Sequence, residues 1–107
     1  MTVCRLWRGW TTPENADAYE RVVRGQVIPG IEERQIPGFR HIDLMKRDLG
    51  DEVEFQTLMW FDSLDSIKDF VGVDYSISHV PAVARVVLKR FDERAAHFEV
   101  IDRREQQ

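Results

Sequence analysis

Three histidines are the side chains of this chain best suited to moving a proton near neutral pH: His41, His79 and His97. Two of them have a carboxylate two positions on, His41 with Asp43 and His97 with Glu99. On a strand, residues i and i+2 share a face with Cα atoms roughly 6–7 Å apart. Either acid is therefore placed to hold its imidazole in one tautomer, and a structural hydrogen bond at a strand edge would use the same atoms. His79 precedes Val80-Pro81, where a loop meets a helix; the position suits a surface or capping residue, or the mouth of a pocket. Apolar surface for a flat ligand is available in Trp7, Trp10, Phe55, Met59, Trp60, Phe70 and Tyr75. Core and interface packing would need the same residues.

Other chemistries lack their signatures. No two histidines stand at i and i+4 and there is no cysteine pair, so no metal site is expected. Cys4 begins a strand, and Ser63, Ser66, Ser76 and Ser78 sit in no nucleophile elbow. Neither a glycine-rich phosphate loop nor a dinucleotide fingerprint occurs.

The elements that must position these residues are legible from pattern. Thr2 to Thr11 alternates as a strand, with Cys4, Leu6 and Trp10 on one side and Val3 and Trp7 on the other. Thr12-Pro13-Glu14 is a helix start, combining a cap, a proline in the first turn and an early acid. Tyr19, Val22, Val23, Val27 and Ile31 then recur at helical spacing. Pro29-Gly30 is expected to kink or interrupt that helix before Glu32, and Pro37-Gly38 to end the segment. Phe39 to Arg47 reads as a second strand, Asp48 to Glu52 as its turn, and Val53 to Phe61 as a central strand apolar on both faces.

Asp62 or Ser63 caps a short helix burying Leu64, Ile67, Phe70 and Val71. Gly72 to Ser78 is a loop, and Pro81 opens a helix that turns Val83, Val86 and Val87 inward. Ala96 to Asp102 is the last strand, and 103–107 is a polar tail expected to fray. Strand, helix, strand, strand, helix pair, strand makes a ferredoxin-like βαββαβ α+β sandwich with a four-stranded antiparallel sheet. Its first and third strands are central.

Composition narrows the class. The 107 residues predict one domain over 1–107, with 43% hydrophobic and 32% charged residues as in globular domains. A formal charge of −4 and a pI near 5.3 argue against nucleic-acid and anionic-membrane partners. The third strand begins acidic and lacks the basic-glycine-aromatic run of RNA-recognition modules. The lone Cys4, arginines that interrupt the first ten residues, and the lack of a long apolar run fit a cytoplasmic domain.

Five local marks, in order along the chain, together resemble a known family. They are Arg8-Gly9 before the Thr-Pro helix start, Ile36-Pro37-Gly38-Phe39, Trp60 closing the third strand ahead of a capped helix, Phe70-Val71-Gly72-Val73-Asp74, and His97-Phe98-Glu99-Val100. The pattern is similar to that of the antibiotic biosynthesis monooxygenase (ABM) family of dimeric α/β barrels, over nearly the whole chain. The resemblance implies a homodimer in which two four-stranded sheets close face to face, giving the edge strands partners.

It further implies a cofactor-independent monooxygenase acting on a hydrophobic, polyketide-like aromatic small molecule. Such chemistry needs an apolar pocket, a base and donors for an oxyanion. His97, His41 and His79 are the candidate bases, and the aromatic set with Met59 is the candidate pocket. Two other readings stay open. One is a binding or accessory dimer without catalysis. The other is haem degradation, for which Phe70 and His79 stand near the relevant places. That match lacks the tryptophan such enzymes carry on the helix and an asparagine in the first strand.

Overall fold

The computed structural model describes residues 2–107. Its first strand, β1 (Thr2–Thr11), is the spine of the sheet. β1 pairs antiparallel with β3 (Val53–Phe61) along its whole length, from Val3 opposite Phe61 to Thr11 opposite Val53. β2 (Phe39–Asp48) lies beyond β3, with a bulge between Phe39 and His41. On the other side of β1, two strands share one edge: β4 (Arg90–Phe91) pairs at Gly9 and Trp10, and β5 (Ala96–Val100) pairs from Leu6 to Thr2. The fold is the expected antiparallel α+β sandwich, with a fifth strand, β4, ahead of the expected last one, and with β5 ending at Val100 rather than Asp102. The sheet of the single chain is not closed.

The helical layer is assembled by local signals. Thr12 caps a 3-10 turn at Pro13–Asn15 by accepting from Asn15 N–H at 3.3 Å. It continues into α1 (Ala16–Val22), a π turn at Val23–Val27, and α2 (Ile28–Glu33). Pro29-Gly30 therefore does not interrupt the helix. The wider π turn, closed by Ile28 N–H onto Val23 C=O, takes up the missing donor and bulk of the proline ring one residue before it arrives.

Ser63 caps α3 (Leu64–Val71), and Gly72 ends it with φ of 96°. Gly38 is required where β2 begins: its φ is 83°, and a Cβ there would stand 2.2 Å from Ser66 Oγ. α4 (Ala82–Arg85) is one short turn that buries Ala84. Val83 and Val86 are exposed rather than inward, because four residues present only one side to the sheet.

Two clusters form the core between sheet and helices. One centres on Phe61, Ile67 and Phe70, the other on Tyr19, Val23 and Phe55. The strand alternation places Val3, Arg5, Trp7, Phe55, Thr57, Met59 and Phe61 on this helix-covered face. The opposite face is open and divided. Cys4, Leu6, Leu58, Trp60 and Phe98 make an apolar half, whereas Glu54, Gln56, Arg47 and Arg8 make a polar one. Thus β3 is apolar on both faces only toward its end. Glu54 is held there by Arg47 at 2.9 Å and Gln56 at 3.0 Å.

Candidate functional site

The helix-covered face holds a cavity of about 50 Å³, bounded by β1, β2 and β3 below and by α1, α2 and α3 with the 79–84 segment above. Most of its wall is aliphatic or aromatic, because the strand residues facing the helices are the apolar phase of the alternation. Polar groups enter at four places: Arg5, Tyr19, Thr57 and His79. A groove of about 310 Å³ adjoins it between α2 and α4, lined by Gln26, Gly30, Arg34 and Val83 among others. Val27, Ile31, His79 and Pro81 border both spaces, so His79 stands at the passage between them. Taken with the groove, the space falls in the range of small-molecule sites, roughly 300–1,000 Å³.

The electrostatics of the cavity follow from burial. Arg5 is only 3% exposed. It donates through Nη1 to Tyr75 C=O at 2.5 Å and through Nη2 to Ile77 C=O at 2.6 Å, pinning the loop after α3 onto β1. Burial pulls the guanidinium down to about 10, which leaves it charged at neutral pH. His79 packs its ring against Phe70, with centroids 5.0 Å apart. Desolvation lowers its pKa, and the neighbouring charges of Arg34 and Arg5 lower it further. A neutral imidazole beside a fixed cation can accept a proton from a substrate whose oxygen then becomes negative.

The three histidines are separated by this architecture. His97 is on the helix-covered face but outside the cavity wall, with Nε2 3.0 Å from Arg5 Nη1 and its ring edge-on to Tyr75 at 5.2 Å. Desolvation and then Arg5 depress it to about 4. Glu99 makes no hydrogen bond to it; His97 is engaged by the arginine across the strand pair instead. His41 and Asp43 do meet, at 3.7 Å, but on the open face and exposed. Asp43 there accepts Trp60 Nε1–H at 3.1 Å, and the His41 and Trp60 rings lie 5.3 Å apart.

The aromatic set divides in the same way. Trp7, Met59 and Phe70 line the cavity. Phe55 lies behind the wall, edge-on to Tyr19 at 4.7 Å. Tyr75 covers His97 from the loop. Trp10 and Trp60 stand on the open face, Trp10 under Arg90 at 3.9 Å and Trp60 under Arg103 of the tail at 5.1 Å.

Arg5 and Tyr19 escaped the reading of the sequence as site residues. A charged residue in a strand suggests a solvated position, and Tyr19 looks like any core position of an amphipathic helix. The partial signal was parity: Arg5 shares its face with Val3 and Trp7, and once the helices cover that face its side chain enters the core. Among the described residues, no group of three or more His, Cys, Asp or Glu side chains is arranged to hold a metal ion. Among the same residues, no helix is long and apolar enough to cross a membrane.

No protein-family model and no curated protein matches the chain. Solved structures do. A candidate antibiotic biosynthesis monooxygenase from Bacillus cereus superimposes with a TM-score of 0.68 at 11% identity, covering 98% of both chains. SnoaB of Streptomyces nogalater, a cofactor-independent oxygenase, gives 0.60 at 14% identity over 95% of both chains. A candidate antibiotic biosynthesis monooxygenase from Chloroflexus aurantiacus gives 0.59 at 16% over 98% of both. The fold of this chain is therefore that of the antibiotic biosynthesis monooxygenases, end to end.

Proposed function

We propose that this protein belongs to the antibiotic biosynthesis monooxygenases and oxygenates a hydrophobic aromatic small molecule without a cofactor. The observation that carries the reading is the cavity under the helices, apolar over most of its wall and with a neutral histidine at its mouth. Its likeness in fold to a cofactor-independent oxygenase supports the same reading. His79 is the base. It removes a proton from an activated CH₂ next to an aromatic ketone or phenol, leaving an electron-rich carbanion or enolate. That species passes an electron to dioxygen, and the radical pair combines to a peroxide anion, which takes up a proton. Loss of water then leaves a carbonyl. The balance is CH₂ plus O₂ giving C=O plus H₂O, with both electron pairs supplied by the substrate.

The protein acts as a homodimer of one-domain protomers. The apolar half of the open face, Cys4, Leu6, Leu58, Trp60 and Phe98, meets its counterpart, which would close two open sheets against each other. Anthrone is the probe substrate. Purified protein in air with anthrone and a chelator, without flavin or added metal, is expected to consume one O₂ per anthroquinone formed. Absence of uptake across anthrone and its hydroxylated analogues overturns the oxygenase.

The second reading is a small-molecule-binding dimer without catalysis. The small inner cavity favours it, since about 50 Å³ does not hold a fused ring system without movement of the His79–Pro81 wall. Ligand binding without turnover is its signature.

A further inference from the structure

The wall of the cavity holds a cation, Arg5, and no anion. No carboxylate pairs with Arg5 among the described residues, and burial alone accounts for its depressed pKa. None of the residues lining the cavity or the adjoining groove is an aspartate or glutamate. A buried charge without a counter-charge is costly, and two carbonyl acceptors offset only part of that cost. A neutral donor would clamp the Tyr75–Ile77 segment without it.

The guanidinium also has capacity left. Of its five N–H donors, three are engaged by Tyr75 C=O, Ile77 C=O and His97 Nε2. Nε–H and one Nη2–H have no protein acceptor among the described residues. Thr11 Oγ1 is the one sealed side-chain polar atom without a partner among the described residues, so Arg5 Nε is not sealed off, and Arg5 lines the cavity. The surroundings repeat the sign. Arg34 and Arg5 both pack on the Phe70 ring, at 5.3 and 5.5 Å, and the His79 imidazole lies against the same ring.

We propose that Arg5 is an anion-binding, specificity-determining residue, which selects aromatic ligands carrying a negatively charged oxygen. This rests on the assignment of the site to the helix-covered cavity and adds the ligand class to it. The ring system occupies the groove and passage beside His79 and Phe70, while the oxygen reaches the spare donors of Arg5. A carboxylate arrives charged; a phenol or enol becomes charged as His79 takes its proton.

The test compares 2-naphthoate with 2-naphthamide, which has nearly the same shape and no charge, by calorimetry on the wild-type protein. The acid is expected to bind about 10- to 100-fold more tightly, as a charge-assisted hydrogen bond predicts. The preference should persist in about 0.5 M NaCl, because a buried cation is poorly screened. It should vanish in Arg5→Met and survive in Arg34→Met. Equal affinity of acid and amide for the wild type overturns the inference, even if Arg5→Met does not fold. A preference that salt or Arg34→Met abolishes overturns it too, since the selecting charge would then be at the surface. Oxygen uptake with anthrone is scored separately: acid preference without uptake keeps the anion site and discards the oxygenase, and uptake without preference does the reverse.

Discussion

The two faces of one sheet have been put to opposite uses by a single alternation. Odd-numbered residues of β1 face the helices and even-numbered ones face away. Under the helices, the sheet surrounds Arg5 and depresses His97 and His79 by desolvation. On the open face, polar groups are paired near solvent, as with His41 and Asp43 or Arg8 and Asp92. Burial is what turns a histidine or an arginine into a chemical device. The same residue types on the other face of the sheet, Arg8 and His41, remain ordinary surface groups.

If this division holds, removing volume should cost far more under the helices than on the open face. Phe61 is completely buried, so Phe61→Ala is expected to destabilise by about 3–5 kcal/mol in chemical denaturation. Phe98, 55% exposed, should lose less than about 1 kcal/mol of protomer stability on the same change. Comparable losses at the two positions would break the comparison.

A smaller effect should follow from His97. Its folded-state value of about 4 lies below the ordinary 6.5, so the unfolded chain binds more protons between those values. Stability is therefore full above pH 6.5 and falls as pH drops toward 4. The loss is about 2 kcal/mol after discounting for its partial exposure. His97→Gln should flatten that part of the pH–stability curve. A curve unchanged by the substitution would show that His97 titrates normally. Smallest in protomer stability, but decisive for association, is Trp60→Glu on the open face. It should leave the denaturation midpoint within about 0.5 kcal/mol of wild type and shift light scattering to the 12.6 kDa protomer.

Much of this architecture was legible because it is written in local signals. Thr12-Pro13 and Ser63 cap helices where their types predict, and the alternation in Thr2–Thr11 assigns Trp7 and Trp10 to opposite faces. The π turn before Pro29 was not legible, since it is a backbone adjustment with no side-chain signature. Nor was the two-residue β4, which lies along the same edge of β1 as β5.

The site was legible as a set of residue types and not as a place. Same-face spacing joined His41 to Asp43 correctly, but it could not reveal that this face lacks a helical cover. It paired His97 with Glu99, where packing gives His97 to Arg5. Contacts between residues 70 and 92 positions apart, Arg5 with Tyr75 and with His97, depend on the tertiary fold alone.

The central claim is that chemistry belongs to the covered face. It is tested most directly by anthrone-dependent oxygen uptake in His79→Ala and His41→Ala, each confirmed folded by circular dichroism. Loss of a general base should lower the rate of His79→Ala by about 10²–10⁴-fold, while His41→Ala stays near wild type. A rate retained in His79→Ala and lost in His41→Ala would contradict the account and move the site to the open face.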